Sequence, residues 1–280
     1  MRFGINEDFG FKELTVLQRA RLIAAAGFSA VFCRWSQPGS LEATAAACRE
    51  TGLDFEFVHM GYAGIDLFWH GSREEAESEL ARQTECLREC TEHGITLAVQ
   101  HVFQGFTEPH PTSEGVYWFG RLLDEAQKLG IRIALENTEG EAYLDRLRGA
   151  LWEHPAAGFC WDSGHESCYN RSRNMLADYG SRLLATHLND NLGVSGAEID
   201  WHDDLHLIPY DGAIDWTKAA HRLAGTGYDG ILTFEMKDRN LPGRHDSDRY
   251  AALSPAEYLA RVYTAAERFT SELEAARTAR

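Results

Sequence analysis

Phe159-Cys160-Trp161-Asp162-Ser163-Gly164-His165 is an apolar run that stops abruptly in Asp-x-x-His. Together with Ala157 it reads as a buried strand that leaves a core and presents polar groups at its end. Gly164 allows a sharp backbone turn at that point. Three other apolar runs stop in the same way: Ile133-Ala134-Leu135 in Glu136-Asn137, Leu183-Leu184-Ala185 in His187 and Asp190, and Ile231-Leu232-Thr233-Phe234 in Glu235. Residue types that ligate metals, placed repeatedly at the ends of core strands, point to one shared site.

Working outward from that stretch, strand and helix patterns alternate along the whole chain. Strands are expected at Arg2–Asn6, Ala30–Trp35, Phe55–His59, Thr96–His101, Arg132–Glu136, Phe159–Asp162, Leu183–Leu188 and Ile231–Glu235. Helical spacing falls between them: Lys12–Gly27, Leu41–Gly52 with Ser40 as its N-cap, Ser72–Gly94, Glu114–Gly130, Ala142–Trp152, Asn174–Arg182, Asp215–Ala224 and Pro255–Leu273, before a charged tail. Ser72-Arg73-Glu74-Glu75 is a capping box. A Gly/Pro/Thr loop runs to about Thr112, and Asn191 to Gly212 is irregular. Alternating β and α units with apolar strands imply a parallel sheet. Eight units without a composition break predict an α/β fold, a (β/α)8 TIM barrel forming a single domain over residues 1–280. An open doubly wound sheet is the alternative, but no G-x-G-x-x-G follows the first strand.

Composition narrows the function. Lys and Arg number 27 against 43 Asp and Glu, a net charge of -16 that disfavours nucleic acid and anionic membranes as partners. No apolar run approaches the roughly 20 residues of a membrane span, and the first residues carry no signal-peptide core. The six cysteines, Cys33, Cys48, Cys86, Cys90, Cys160 and Cys168, contain no C-x-x-C pair, as expected of reduced thiols in a cytoplasmic protein. Cys86 and Cys90, four apart on one helix, are expected half-buried.

In such a barrel the C-terminal strand ends form one face. The polar residues there are His59, His101, Glu136, Asp162, His165, His187, Asp190 and Glu235, with Asp204 and His206 from the long loop after the seventh strand. A lone strand-end histidine is more often a satisfied polar group than a ligand. So many converging on one mouth suit a divalent metal of the Mn, Mg, Co or Zn type, because buried charges are costly without partners. Asp190 reads equally as a group orienting a ligand histidine or as a loop cap. Lys237, Arg239 and Arg244 read as a solvated loop or as a receiver for an anionic group. Tyr62, Phe68, Trp69 and His70 form an aromatic loop expected to cover the active face like a lid.

The strings Ala134-Leu135-Glu136-Asn137, Trp161-Asp162-Ser163-Gly164-His165, His187-Leu188-Asn189-Asp190 and Phe234-Glu235 resemble the sugar phosphate isomerase/epimerase superfamily. That xylose isomerase-like TIM barrel group includes tagatose/psicose 3-epimerases, hydroxypyruvate isomerases and inosose dehydratases. The resemblance implies a metal site at Glu136, Asp162, His187 and Glu235, occupied by Mn2+ or by Mg2+, Co2+ or Zn2+. It makes Glu136 and Glu235 the candidate proton-transfer groups and leaves His59, His101, His165, Asp204 and His206 for substrate hydroxyls. Endonuclease IV, a zinc-dependent DNA repair enzyme of the same superfamily, has a ligand pattern that also maps onto all these positions.

The implied activity is a metal-dependent sugar isomerase or epimerase acting on a ketose or keto-sugar through an enediolate. A keto-sugar dehydratase, a keto-glycoside lyase and an endonuclease IV-like phosphodiesterase are the alternatives. The implied partner is a small-molecule sugar, and the oligomeric state, a homo-oligomer included, is left open.

Overall fold

A computed structural model describes residues 1–106, 110–171 and 173–279; residues 107–109, part of the expected Gly/Pro/Thr loop, lie outside them. Eight parallel strands, β1 Phe3–Asn6, β2 Ala30–Arg34, β3 Asp54–His59, β4 Leu97–His101, β5 Arg132–Glu136, β6 Ala157–Asp162, β7 Leu183–His187 and β8 Leu232–Phe234, pair in the order β7-β6-β5-β4-β3-β2-β1-β8. The circle closes through a single parallel bridge, Leu188 to Phe234. At that seam Thr233 N donates to the Thr186 hydroxyl at 3.0 Å, so a side chain replaces part of the backbone ladder. The result is the nearly closed (β/α)8 barrel expected from the alternating pattern.

The helices are α1 Val16–Ala25, α2 Glu42–Thr51, α3 Leu67–His70, α4 Arg73–Glu92, α5 Ser113–Lys128, α6 Glu141–Leu151, α7 Ser163–Cys168, α8 Met175–Tyr179, α9 Trp216–Thr226 and α10 Pro255–Thr278. The capping box at Ser72 forms as read: Glu75 N donates to Ser72 Oγ, and Ser72 N to the Glu75 carboxylate at 2.7 Å. Ser40 does not cap α2. Its hydroxyl accepts from Ser36 and Gln37 instead, and Leu41 begins the helix without a side-chain cap. There is no charged tail as such, because α10 continues to Thr278 and keeps Leu273 and Ala276 buried. All six cysteines are free and buried, with Cys86 and Cys90 fully enclosed rather than half-buried.

The barrel interior explains the site. Phe32, Phe57, Val99, Ala134, Cys160 and Ala185 pack together inside the strands. Side chains alternate with a period of two along a strand. Two residues further on, each of these strands therefore presents Arg34, His59, His101, Glu136, Asp162 and His187 at the C-terminal mouth. A core that closes by dispersion and burial thus sets a ring of polar groups directly above it.

One acid lies below this layer. A bulge where β3 meets β2 admits both Glu56 and Phe57. Glu56 is half-buried and hydrogen-bonded to the Thr233 hydroxyl. Burial pushes its carboxyl up from 4.5 to about 8. The folded chain therefore holds this proton more tightly than the unfolded one. The stability this contributes is fully present below pH 4.5 and is lost as pH rises through about 8. Glu56→Gln is expected to raise the melting temperature by several degrees at pH 9 and to change it little at pH 4.5. An equal shift at both values would assign the effect to packing alone.

Candidate metal centre

Glu136 lies at the centre of the mouth and is fully buried. His187 Nδ1 donates to Glu136 Oε1 at 2.9 Å and stands 3.3 Å from Glu235 Oε2 and 3.9 Å from Asp162 Oδ2. One ligand atom each from Glu136, Asp162, His187 and Glu235 lie within 4.8 Å of one another. The His187 ring is clamped by stacking on Phe32 at 4.9 Å and on His59 at 5.7 Å.

The remaining histidines gather on the same cluster. His59 Nε2 and His101 Nε2 are each 3.3 Å from Glu136 Oε2. His165 Nδ1 is 3.4 Å from Glu136 Oε1, and its Nε2 is 3.7 Å from Asp204 Oδ1. His206 Nε2 meets Asp204 Oδ2 at 2.9 Å. Three of these rings are oriented through backbone carbonyls: Nδ1 of His59, His165 and His206 pairs with the oxygens of Met60, Asn137 and Glu235 at 2.9–3.0 Å. That fixes Nδ1 as a donor in each ring and turns Nε2 toward the carboxylates of the mouth, Glu136 for His59 and Asp204 for His165 and His206.

Electrostatics reflect the crowding. Burial alone would push the Glu136 carboxyl up, but His187 and His101 hold it well below the usual carboxylate range. Burial acts likewise on Asp204, and His206, Lys237 and His165 overcome it. Glu235 is drawn down to about 2 by His187 and His206 against its own burial. Asp162 moves up, chiefly because it is buried. Glu136 Oε2 and Asp204 Oδ1 are buried with only loosely placed imidazoles beside them, at 3.3 Å and 3.7 Å, and no well-formed hydrogen bond. Buried anionic oxygens held this loosely are costly unless a cation meets them. Three carboxylates and one imidazole form an oxygen-rich donor set that fits a divalent ion of the Mn or Mg type.

A second layer holds the first. Asn189 Nδ2 reaches both Asp162 oxygens at 3.1 and 3.2 Å, and Asn137 brackets the Asp162 backbone at 2.8 Å on each side. Asp162 also caps α7 through His165 N at 2.7 Å. The chain turns at this point from β6 straight into α7, as expected, although Gly164 is not in the left-handed region. The glycine is needed for space: a Cβ would fall 1.8 Å from Asn189 Oδ1. Helix α7, too short for periodicity to reveal, is what sets His165 beside Asp204.

Asp190 takes the loop-capping role. It accepts from the backbone of Asn191, Tyr210 and Ile214 and from Trp216 Nε1 at 2.7–3.1 Å, pinning the irregular 191–212 segment. Arg244 is committed to Asp203 and Asp246, and Lys237 to Asp204 at 3.3 Å. Arg239 is exposed.

The lid expectation is corrected. Phe68 and Trp69 are almost fully buried on α3, packed against Phe119 and Tyr143. Trp69 Nε1 donates to Val102 O at 2.6 Å, and Gly115 leaves room for its ring, which a Cβ there would approach to 1.8 Å. Only Tyr62 of that group lines the site, stacked on His101 at 4.2 Å.

Arg34 escaped the sequence reading, although the alternation Ala30, Phe32, Arg34 carries the signal. Its guanidinium lies 4.9 Å over the Tyr62 ring. Tyr169, stacked on His165 at 5.0 Å, and Trp201 were also missed, because only the folded loops bring them to the mouth.

A family model described as xylose isomerase-like TIM barrel matches residues 20–261. An uncharacterised protein, y4fM, of Sinorhizobium fredii is 34% identical over 154 residues, which cover 52% of this chain and 43% of that protein. The chain spans less than half the length of the curated relatives it matches. A D-psicose 3-epimerase of Clostridium cellulolyticum H10, solved with D-tagatose, superposes with a TM-score of 0.75 at 16% identity, over 98% of this chain and 99% of that one. A 3-keto-D-glucoside 4-epimerase of E. coli gives 0.67 at 20% identity, over 94% and 99%. At these identities the likeness is one of fold.

Proposed function

This chain belongs to the xylose isomerase-like TIM barrel family, and from that premise we propose that it is a divalent-metal-dependent sugar isomerase or epimerase acting on a ketose or keto-sugar. The observation that carries the reading is the convergence of Glu136, Asp162, His187 and Glu235 within 4.8 Å at the barrel mouth. The epimerase fold neighbours support it. These four residues would hold the ion, with Mn2+ the preferred occupant. When bound, the ion supplies Lewis-acid polarisation of a ketone and an adjacent hydroxyl.

The chain's own groups supply the rest. Glu235, 8% exposed and ionised, is the more accessible of the two glutamates and removes the proton from the hydroxyl-bearing carbon next to the carbonyl. Glu136 is sealed among four histidines and, being ionised, returns a proton on the face it lines only after taking one from an adjacent histidine. His101, His165 and Asp204 line the cavity and bind substrate hydroxyls, the histidines donating or accepting through their ring nitrogens. His59 and His206 orient that layer from behind. Protonation of the enediolate on the opposite face epimerises, and protonation of the neighbouring carbon isomerises. Loss of a β-substituent from the same intermediate is the dehydratase or lyase variant.

Incubating the metal-loaded chain with ketoses and keto-sugars in heavy water tests this. Deuterium at the carbon next to the carbonyl is the expected result. Cleavage of an abasic duplex without such exchange would overturn it.

A second reading has one specific observation in its favour. The Nε2 atoms of His59 and His101 converge on Glu136 Oε2, and His165, Asp204 and His206 form a further ligand-sized group. Sites for additional ions would suit a multi-metal phosphodiesterase. The acidic net charge of -16 weighs against a nucleic acid substrate.

A further inference from the structure

The cavity above the metal ligands has two zones. Its inner part is lined by His101, His165, Asp204 and Lys237, a set of donors and acceptors matched to a hydroxylated ring. Its outer edge is aromatic. Trp201 is 53% exposed and Phe106 36%, and their rings meet at 5.2 Å. Phe106 also reaches Tyr169 at 5.7 Å, so the aromatic surface continues from solvent down to His165.

An exposed Trp–Phe pair is unfavourable in water unless something covers it. This one is held in place rather than left loose. Trp201 Nε1 donates to Glu139 Oε1 at 3.3 Å, and Gly105 N donates to the same oxygen at 2.9 Å. The turn that carries Trp201 is pinned by Asp203, which is buried and paired with Arg244 at 3.2 Å. Aromatic side chains fixed at a cavity edge offer contact area at low entropic cost.

The cavity measures about 260 Å³, below the roughly 300 Å³ at which pockets begin to enclose drug-sized molecules. It holds one ring, and any second ring must lie on the rim. Glu139 beside the indole makes that rim unfavourable for an anion.

We infer that Trp201 and Phe106 form an outer subsite for the uncharged second ring of a glycoside, so that the substrate is a keto-glycoside rather than a free monosaccharide. The inference rests on the keto-sugar reading for the inner ring and specifies what is attached to it. Trp201 acts here in specificity and touches no reacting atom.

Calorimetric titration of the Mg2+-supplied chain with phenyl β-D-glucopyranoside and methyl β-D-glucopyranoside tests it without turnover. The phenyl glycoside is expected to bind about tenfold more tightly, within the range of aromatic stacking. Trp201→Ala should abolish that advantage at an unchanged melting temperature, and Trp201→Phe should keep most of it. Equal affinities, absence of binding by both, or an advantage that survives Trp201→Ala would overturn the subsite. The heavy-water exchange experiment is independent: its failure would remove the isomerase reading and leave a measured ring preference standing.

Discussion

Glu235→Gln is expected to lower turnover by about 10²–10⁴-fold, the range for loss of a positioned proton-transfer group. Glu235 follows the last residue of β8, and its Oε2 stands 3.3 Å from His187 Nδ1. His187 and His206 draw its carboxyl down to about 2 against its own burial, so it is ionised at neutral pH. The amide keeps the volume and loses both the charge and the basic oxygen. The backbone contact of residue 235, N–H to Leu188 O at 3.2 Å, is untouched. The apo chain should therefore stay folded, with its melting temperature lowered by several degrees through loss of the charge that His187 and His206 stabilise. Initial rates on the ketose that exchanges deuterium, with metal content measured on the same sample, make the check. A fully metallated variant turning over near the parent rate would show that this carboxylate is not the base.

The second large effect concerns metal. Protein purified without added metal, then stripped with chelator and returned to Mn2+, is expected to take up close to one equivalent per chain. Binding at a hundredfold excess over Kd stabilises by about 2.7 kcal/mol. For a chain of this size that corresponds to a rise of roughly 5 °C in Tm. His187→Ala should abolish both uptake and the rise, because it removes the imidazole that faces Glu136, Glu235 and Asp162 together. Elemental analysis and melting curves on the two proteins decide it. Two or more tightly held zinc ions, lost together on His101→Ala, would transfer the weight to the phosphodiesterase reading. His101 would then be a ligand next to Glu136 Oε2 and not a substrate group.

The ring of mouth residues was legible because strand alternation is local. An apolar residue inside the barrel at Ala134, Cys160 or Ala185 places Glu136, Asp162 or His187 above it without reference to any distant part of the chain. The same rule would have found Arg34, had β2 been taken as ending inside the mouth and not at Trp35. The N-cap at Ser72 was legible for a related reason, since both halves of a capping box lie within one turn. Ser40 failed as a cap because its hydroxyl has equally near partners in the preceding turn.

The sequence by itself determined the alternating elements, the barrel class and which strand ends carry carboxylate and imidazole. Each of these depends on periodicity over a few residues, and burial enforces that periodicity wherever the chain packs. Only the tertiary structure decided what those groups do next to one another. The aromatic segment near residue 68 became core because α5 offers it Phe119 and the space at Gly115. Asp190 became the anchor of a loop because Tyr210, Ile214 and Trp216 return to it from 20 or more residues away. Which nitrogen of His165 or His206 faces the mouth was set by backbone carbonyls of other segments. Trp201 reached Phe106 from about a third of the chain away to form the rim. These contacts join residues far apart in sequence, and their geometry follows from how the elements close on the barrel, which no local pattern encodes.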